Sequence, residues 1–335
     1  MIVALDGTPL SISSGGLRRY TEELFSALRA EYPEDKYHFL SDQLGARPDF
    51  FDRKWWSIGL PRRLVRLHCD VFHGTNFSVP YFPIRPSVMT LHDISPWRDP
   101  AWHHGAQRVR RRTPYLIGLG LATMLIVPTQ AVRREAFELF KISPDRVAVV
   151  PEAAAPHFHP CEPYTRRPYF LFVGTVEPRK NVPSLVTAWN RIRLRHEVDL
   201  IIAGRQREDG PRIELQNGLK VLNEVSDYDL CKLYSGAISL VYPSFYEGFG
   251  LPPLEAMQCG AAVMTSRDSA LVEVCGGAAV QTDDLEGGME LLFTNSQERR
   301  RRQKLSLARA AEFSWQKTAR LTHEVYTEAI GRFGL

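Results

Sequence analysis

A chain of 335 residues is about two domains' worth at roughly 100–200 residues each, enough to bury two separate cores, which argues against a single small module. With 44 % hydrophobic, 24 % charged and 10 % aromatic residues, the composition is that of a soluble globular chain and argues against disordered, collagen-like or coiled-coil architecture. The 42 Lys+Arg against 38 Asp+Glu leave +4, too small a surplus for a polynucleotide footprint, so no nucleic-acid partner is expected. That surplus is local: residues 1–157 carry 20 basic and 16 acidic side chains, residues 158–335 carry 22 of each.

The opening Met-Ile-Val-Ala-Leu-Asp has an acid at position 6 and no basic n-region, which argues against a signal peptide and predicts a cytoplasmic chain. Short apolar runs then alternate with helical periodicity, the signature of parallel βαβ units and an α/β fold. In the first half, Ile2–Leu5, Tyr37–Leu40, Val71–His73, Ser87–Leu91, Met124–Pro128 and Val147–Val150 read as strands. The apolar run Tyr115–Val127 is shorter than the roughly 20 residues needed to span a bilayer and reads as a helix entering a buried strand. Prolines 151, 156, 160, 163 and 168 make Pro151–Pro168 a poor strand or helix and a natural hinge. In the second half, Tyr169–Val173, Leu200–Ala203, Lys220–Leu222, Ile238–Tyr242, Ala261–Thr265 and Ala278–Gln281 read as strands. Arg299–Arg302 falls in a helix expected over Gln297–Phe313 and reads as a solvated face. A last helix, Ser314–Ile330, must bury Trp315, Leu321, Val325, Tyr326 and Ile330, either on its own domain or by crossing back to the first. The expected division is 1–157, 158–313 and a crossing helix in 314–335. Five scattered cysteines without Cys-x-x-Cys read as reduced, buried thiols, not a disulfide framework or a zinc site.

The richest stretch runs from Tyr242 to Met257: strand, glycine loop (Gly248, Phe249, Gly250, Leu251), then a helix whose first turn suits Pro252 and Pro253. Free amides and the helix dipole there favour an anion, with diphosphate the natural guest. Glu247 and Glu255 bracket that loop. Gly15 and Gly16 follow the first strand, where a missing side chain admits close backbone approach. Arg179 and Lys180, between a strand and a helix, suit a developing negative charge. His92 ends an apolar strand, where open α/β sheets place ligand contacts. Asp227-Tyr-Asp229 spells Asp-x-Asp but follows Ser226, so helix capping is the preferred reading over metal binding. His103, His104, His157 and His159 form no recognisable metal constellation.

The Glu-x7-Glu of Glu247 and Glu255, inside Ser-Phe-Tyr-Glu-Gly-Phe-Gly-Leu-Pro-Pro-Leu-Glu-Ala-Met, resembles the signature of retaining GT-B glycosyltransferases of family 4. Four further motifs resemble that family in order: Gly15-Gly16-Leu-Arg-Arg-Tyr20, Thr90-Leu-His-Asp-Ile94, Gly174-Thr-Val-Glu-Pro-Arg-Lys-Asn181 and Val225-Ser-Asp-Tyr-Asp-Leu230. The resemblance implies two Rossmann-like domains, a nucleotide-sugar donor as co-substrate, no cofactor and no metal. It places Lys180, Arg179 and the amides of Gly248–Leu251 on diphosphate, Glu255 on ribose, Val225 at the base, and Glu247 with His92 at the sugar; Gly16 and Gly204 join the donor site. Asp93 is expected to orient the histidine or its loop. Where the family often shows Gly-Arg this chain has Gly174-Thr175, so a phosphate contact is lost or supplied by another group, with Arg205 after Ala203-Gly204 the candidate. The opening motifs resemble bacterial mannosyltransferases of surface-polysaccharide assembly, implying GDP-mannose first and a UDP-hexose second.

The acceptor is expected to be a glycan or a lipid-linked hydroxyl compound. The cluster Arg108, Arg110, Arg111 and Arg112, beside Tyr115-Leu-Ile117, is a candidate contact with an anionic acceptor or the inner face of the cell membrane. Trp55-Trp56 with Arg62, Arg63 and Arg66 is a second candidate surface. The rivals are a soluble transferase making a small glycoside and a non-catalytic nucleotide-sugar scaffold.

Overall fold

The computed structural model describes residues 1–12, 15–43, 52–165 and 167–334. They form two compact units, Met1–Glu152 with Ser314–Leu335, and Ala153–Phe313.

The first unit holds a parallel sheet of β1 (Ile2–Asp6), β2 (Lys36–Leu40), β3 (Val71–Gly74), β4 (Ser87–Thr90), β5 (Met124–Val127) and β6 (Val147–Val149), in the order β2-β1-β3-β4-β5-β6. Every residue of β3, β4 and β5 is buried, as both faces of an all-parallel sheet require, and edge strand β2 is mostly half-exposed. Helices α1 (Gly16–Glu31), α2 (Leu60–Leu67), α3 (Ser95–Arg98), α4 (Gln107–Gly118) and α5 (Gln130–Phe140) cover it.

The second unit repeats the plan with β7 (Tyr169–Val173), β8 (Asp199–Ala203), β9 (Leu219–Leu222), β10 (Ser239–Tyr242), β11 (Val263–Thr265) and β12 (Val280–Gln281), ordered β12-β11-β10-β7-β8-β9 and parallel throughout. Its helices are α6 (Val182–Ile192), α7 (Asp227–Gly236), α8 (Leu251–Gln258), α9 (Ser269–Cys275), α10 (Leu285–Thr294) and α11 (Ser296–Ala310). All twelve expected strands form, each within two residues of its expected ends.

The final helix, α12 (Trp315–Arg332), is capped by Ser314, whose hydroxyl accepts from the Lys317 amide at 3.2 Å. It belongs with the first unit: it packs along α1 and over β3, β4 and β5, burying Trp315, Val325 and Tyr326. Leu321 and Ile330 are only half-buried. The division between units falls at Glu152/Ala153, five residues before the expected boundary. Ala153, Ala154, Ala155 and Phe158 are buried, and the last three pack in the second unit's core, so the proline-rich segment is bound to that unit nearly from its start.

Candidate functional site

In the second sheet the chain runs from β7 outward to β8 and β9, then returns to the other side of β7 with β10, β11 and β12. The loops leaving the carboxyl ends of β7 and β10 therefore diverge, and such a reversal opens a crevice where α/β sheets bind ligands. The β7 loop carries Gly174–Lys180 and the β10 loop carries Pro243–Gly250; the Phe245 amide donates to the Arg179 carbonyl at 2.9 Å and ties them together.

Within that crevice five side chains alternate in charge. Lys180 Nζ donates to Glu247 Oε1 at 2.5 Å, and Arg179 Nη1 donates to Glu247 Oε2 at 3.0 Å. Arg179 Nη2 reaches Glu177 Oε1 at 2.8 Å, and Arg207 Nη1 takes Glu177 Oε2 at 3.0 Å. Glu177, Arg179, Lys180 and Glu247 are each less than a tenth exposed. Lys180 also donates to the Tyr242 hydroxyl at 2.6 Å, and Arg179 Nη1 to the Tyr246 carbonyl at 2.7 Å.

Burial pushes the Glu247 carboxyl up, but the charges of Lys180 and Arg179 outweigh it and hold the group at about 2. Burial acts on Lys180 too and brings its ammonium below the ordinary lysine value despite Glu247. The Tyr242 phenol is pushed well up by burial, so it stays protonated.

Two glycines set the loop backbones. Gly204 has φ of +150°, and a Cβ there would lie 2.1 Å from the Gly174 carbonyl oxygen, so the loops after β7 and β8 touch through their main chains. Gly250, at φ +97°, stands immediately before α8, where a Cβ would meet the Leu271 side chain at 2.6 Å. Leu251 begins α8 with prolines at 252 and 253 in its first turn.

Glu255 is buried in α8 and accepts from the Tyr234 hydroxyl at 2.9 Å. Val225 is half-buried against the core just before Ser226, whose hydroxyl accepts from the Asp229 amide at 3.1 Å; Asp227 and Asp229 occupy the first turn of α7, as the capping reading of Asp-x-Asp required. Phe249 is buried edge-on to Phe313, 5.9 Å between ring centres, so its side chain is core and only its backbone faces the loop. Arg205 donates to Glu224 at 2.7 Å with its side chain 47 % exposed, while Arg207, two residues on, joins the buried cluster.

In the first unit, Gly16 opens α1, exposed, and His92 follows β4. Both His92 nitrogens are engaged by the unit's own groups: Nε2 donates to the Thr75 carbonyl at 2.9 Å, and Nδ1 lies 3.0 Å from Glu152 Oε1. Burial alone would lower its pKa, yet Glu152 raises it, favouring the imidazolium that donates from both nitrogens. Asp93 holds the loop instead of the histidine, accepting from the Ser95 amide at 2.9 Å and hydroxyl at 2.7 Å. Beneath lies a buried chain in which His73 Nδ1 meets the Tyr326 hydroxyl at 2.7 Å and Nε2 meets Thr90 Oγ1 at 2.8 Å. Thr90 in turn lies 3.0 Å from the Tyr20 hydroxyl, and the Tyr20 ring stands edge-on to His92 at 4.6 Å.

On α4, Arg110 donates to the His103 carbonyl at 3.0 Å, and Arg112 is bonded to Tyr81 and Ser78, so the exposed basic face reduces to Arg108 and Arg111. These line a groove of about 620 Å³ with Tyr81, Tyr115 and Leu119, the last two more than two-thirds exposed. Among the described residues no helix is long and apolar enough to cross a membrane.

Sequence reasoning missed Glu177, Tyr242, Arg207 and Asp268. Asp268 carried a legible signal, an acid before a helix: it caps α9 through the Ala270 and Leu271 amides at 3.1 and 3.2 Å and also accepts from the Glu247 amide.

A switch-point crevice with buried paired cations and a glycine loop opening a helix is the arrangement in which doubly wound α/β proteins hold anionic ligands. Residues 158–304 match the family model for glycosyl transferases group 1, and residues 14–158 that for glycosyltransferase family 4. The O-antigen chain mannosyltransferase B of Escherichia coli is 33 % identical over 282 residues, 76 % of this chain and 74 % of that protein. A longer serotype-specific mannosyltransferase of the same organism, WbdA, is 30 % identical over 273 residues, 73 % of this chain but 34 % of its own length. The solved sucrose-phosphate synthase of Thermosynechococcus elongatus superposes with a TM-score of 0.77 over 98 % of both chains at 19 % identity. The fold is GT-B, and the chain belongs to glycosyltransferase family 4; it is a glycosyltransferase.

Proposed function

We propose that this glycosyltransferase moves a mannosyl residue from GDP-mannose to a hydroxyl of a glycan or lipid-linked acceptor in surface-polysaccharide assembly, with retention and without a metal. The observation that carries the reading is the buried Arg179–Glu247–Lys180 arrangement at the second unit's switch point. Two cations held out of water beside a glycine loop compensate a charge that grows as the bond from the anomeric carbon to the diphosphate breaks. Glu247 holds both cations in the absence of donor. A diphosphate carries more negative charge and takes them over, which releases Glu247 to accept from hydroxyls of the sugar. The acceptor oxygen then bonds the anomeric carbon on the face the diphosphate leaves, and its proton passes to the departing phosphate oxygen. Glu255 serves the ribose and Val225 the base. His92, held by Glu152 and Thr75, orders the loop after β4 on the acceptor-bearing unit. The mannosyl assignment is supported by the names of the E. coli relatives.

Lys180→Ala and Glu255→Ala are expected to cut turnover by about two to three orders of magnitude, and wild-type rates in both would sink the site. In a thermal-shift panel GDP-mannose is expected to raise the melting temperature most, by mass action; a larger shift with a UDP-hexose would reassign the donor. Transfer is expected to survive EDTA, and a loss restored by manganese would overturn metal independence. Arg108 and Arg111 flanked by exposed Tyr115 and Leu119 support an anionic, lipid-bearing acceptor surface. Flotation with phosphatidylglycerol vesicles tests this: retention at low salt is expected, and no binding would favour a water-soluble acceptor.

A further inference from the structure

We propose that Arg207 is a positioning residue of the diphosphate site, acting through Glu177 on Arg179. The proposal rests on the donor-site reading above. The β8–β9 connection is zipped to the β7 loop by its backbone: the Val176 amide donates to the Arg205 carbonyl at 2.8 Å, the Arg207 amide to the Val176 carbonyl at 3.3 Å, and Val176 pairs with Gln206 in parallel register. Gly210 continues the contact, since a Cβ there would stand 2.5 Å from the Val176 carbonyl oxygen. Arg207 is therefore presented to Glu177 by fixed main chain.

The charges explain why it matters. Glu177 and Glu247 face Arg179 and Lys180, two carboxylates against two cations, all buried. Left at that, the cluster would be neutral and Glu177 would hold Arg179 alone. Arg207, half-buried, takes the second oxygen of Glu177 at 3.0 Å, so that carboxylate is shared between two cations. Asp209 covers the outer side of Arg207, but at 40 % side-chain exposure its charge is screened by water. Glu177 thus holds the Arg179 guanidinium in place with less of its negative charge directed at an incoming anion. Arg205 is paired with Glu224 at the surface.

Calorimetric titration of the whole protein with inorganic pyrophosphate, GDP and guanosine tests this, because pyrophosphate reads the phosphate site whatever the base. Arg207→Gln is expected to weaken pyrophosphate and GDP about tenfold and leave guanosine unchanged, whereas in a Glu177→Gln background the same substitution is expected to have no further effect. Arg207→Lys, which keeps charge but loses the forked geometry, is expected to fall between wild type and Arg207→Gln and serves if the glutamine variant does not fold. Equal losses in both backgrounds would overturn the route through Glu177. Wild-type pyrophosphate binding by Arg207→Gln, with binding lost in Lys180→Ala, would overturn the proposal while leaving the donor site standing. Failure of the wild-type protein to bind either pyrophosphate or GDP would remove the donor-site reading itself.

Discussion

The two units share a strand plan but treat polar groups at their strand ends differently. In the first, the buried chain Tyr326–His73–Thr90–Tyr20 runs through uncharged groups, His92–Glu152 is a single pair beside it, and the surplus arginines sit outside on α4. In the second, Glu177, Arg179, Glu247 and Lys180 form an unbroken buried ionic chain, extended outward by half-buried Arg207. Removing ions from water is costly, so such a chain makes a weak stabiliser and a strong sign of chemistry. Net charge points the wrong way here: the unit Ala153–Phe313, with 20 acids and 19 bases, holds the charges that matter, and the basic unit keeps its excess at the surface.

The contrast breaks most sharply at Lys180. Lys180→Met leaves Glu247 buried with half its compensation and is expected to cost about 3–5 kcal/mol in urea denaturation besides abolishing turnover. Adding Glu247→Gln should return much of the stability and none of the activity; recovery of both would mean the ionic chain is scaffold. In the first unit, Tyr326→Phe removes one hydroxyl from an uncharged chain and is expected to cost about 1–3 kcal/mol, with a far smaller effect on transfer than any change at Lys180.

The pH dependence sharpens the comparison. Burial lowers the His73 pKa from 6.5 to about 3, so between those values the unfolded chain binds a proton that the folded chain refuses. Stability from this group is full above pH 6.5 and is lost as pH falls toward 3. His92, raised by Glu152, has the opposite sign: its contribution is present below pH 6.5 and fades as pH rises through its higher folded value. Urea midpoints measured from pH 4 to 8 should steepen on the acid side, and His73→Gln should flatten that limb; an unchanged limb would contradict the assignment. Glu247, depressed from 4.5 to about 2, adds stability above pH 4.5 that disappears only in stronger acid. The smallest effect is expected at Ser226→Ala, about 1 kcal/mol from the lost cap, read as a lower melting temperature with no change in metal response.

The strands were legible because an all-parallel sheet buries whole runs such as Tyr169–Val173 and Met124–Val127, and a buried run is visible without any partner. The contents of the site were legible as residue types and motif order, but their mutual arrangement was not. Lys180 and Glu247 are 67 positions apart, and nothing in either neighbourhood says that one neutralises the other. Arg205 and Arg207 show the limit clearly, since the two differ only in what the loop backbone brings opposite them. On α4 four arginines look alike in sequence, yet two are consumed by Ser78, Tyr81 and the His103 carbonyl.

The position of α12 has a consequence for how the molecule is made. The unit begun at Met1 is closed by Trp315–Arg332, whereas Ala153–Phe313 is continuous in sequence. During synthesis at about 5–20 residues per second, the unit translated second is the one that finishes first. Until Trp315–Arg332 leaves the ribosome, Tyr20 lacks the edge of Trp315 and His73 lacks the Tyr326 hydroxyl, and the nascent chain presents that uncovered seam to the surrounding chaperones.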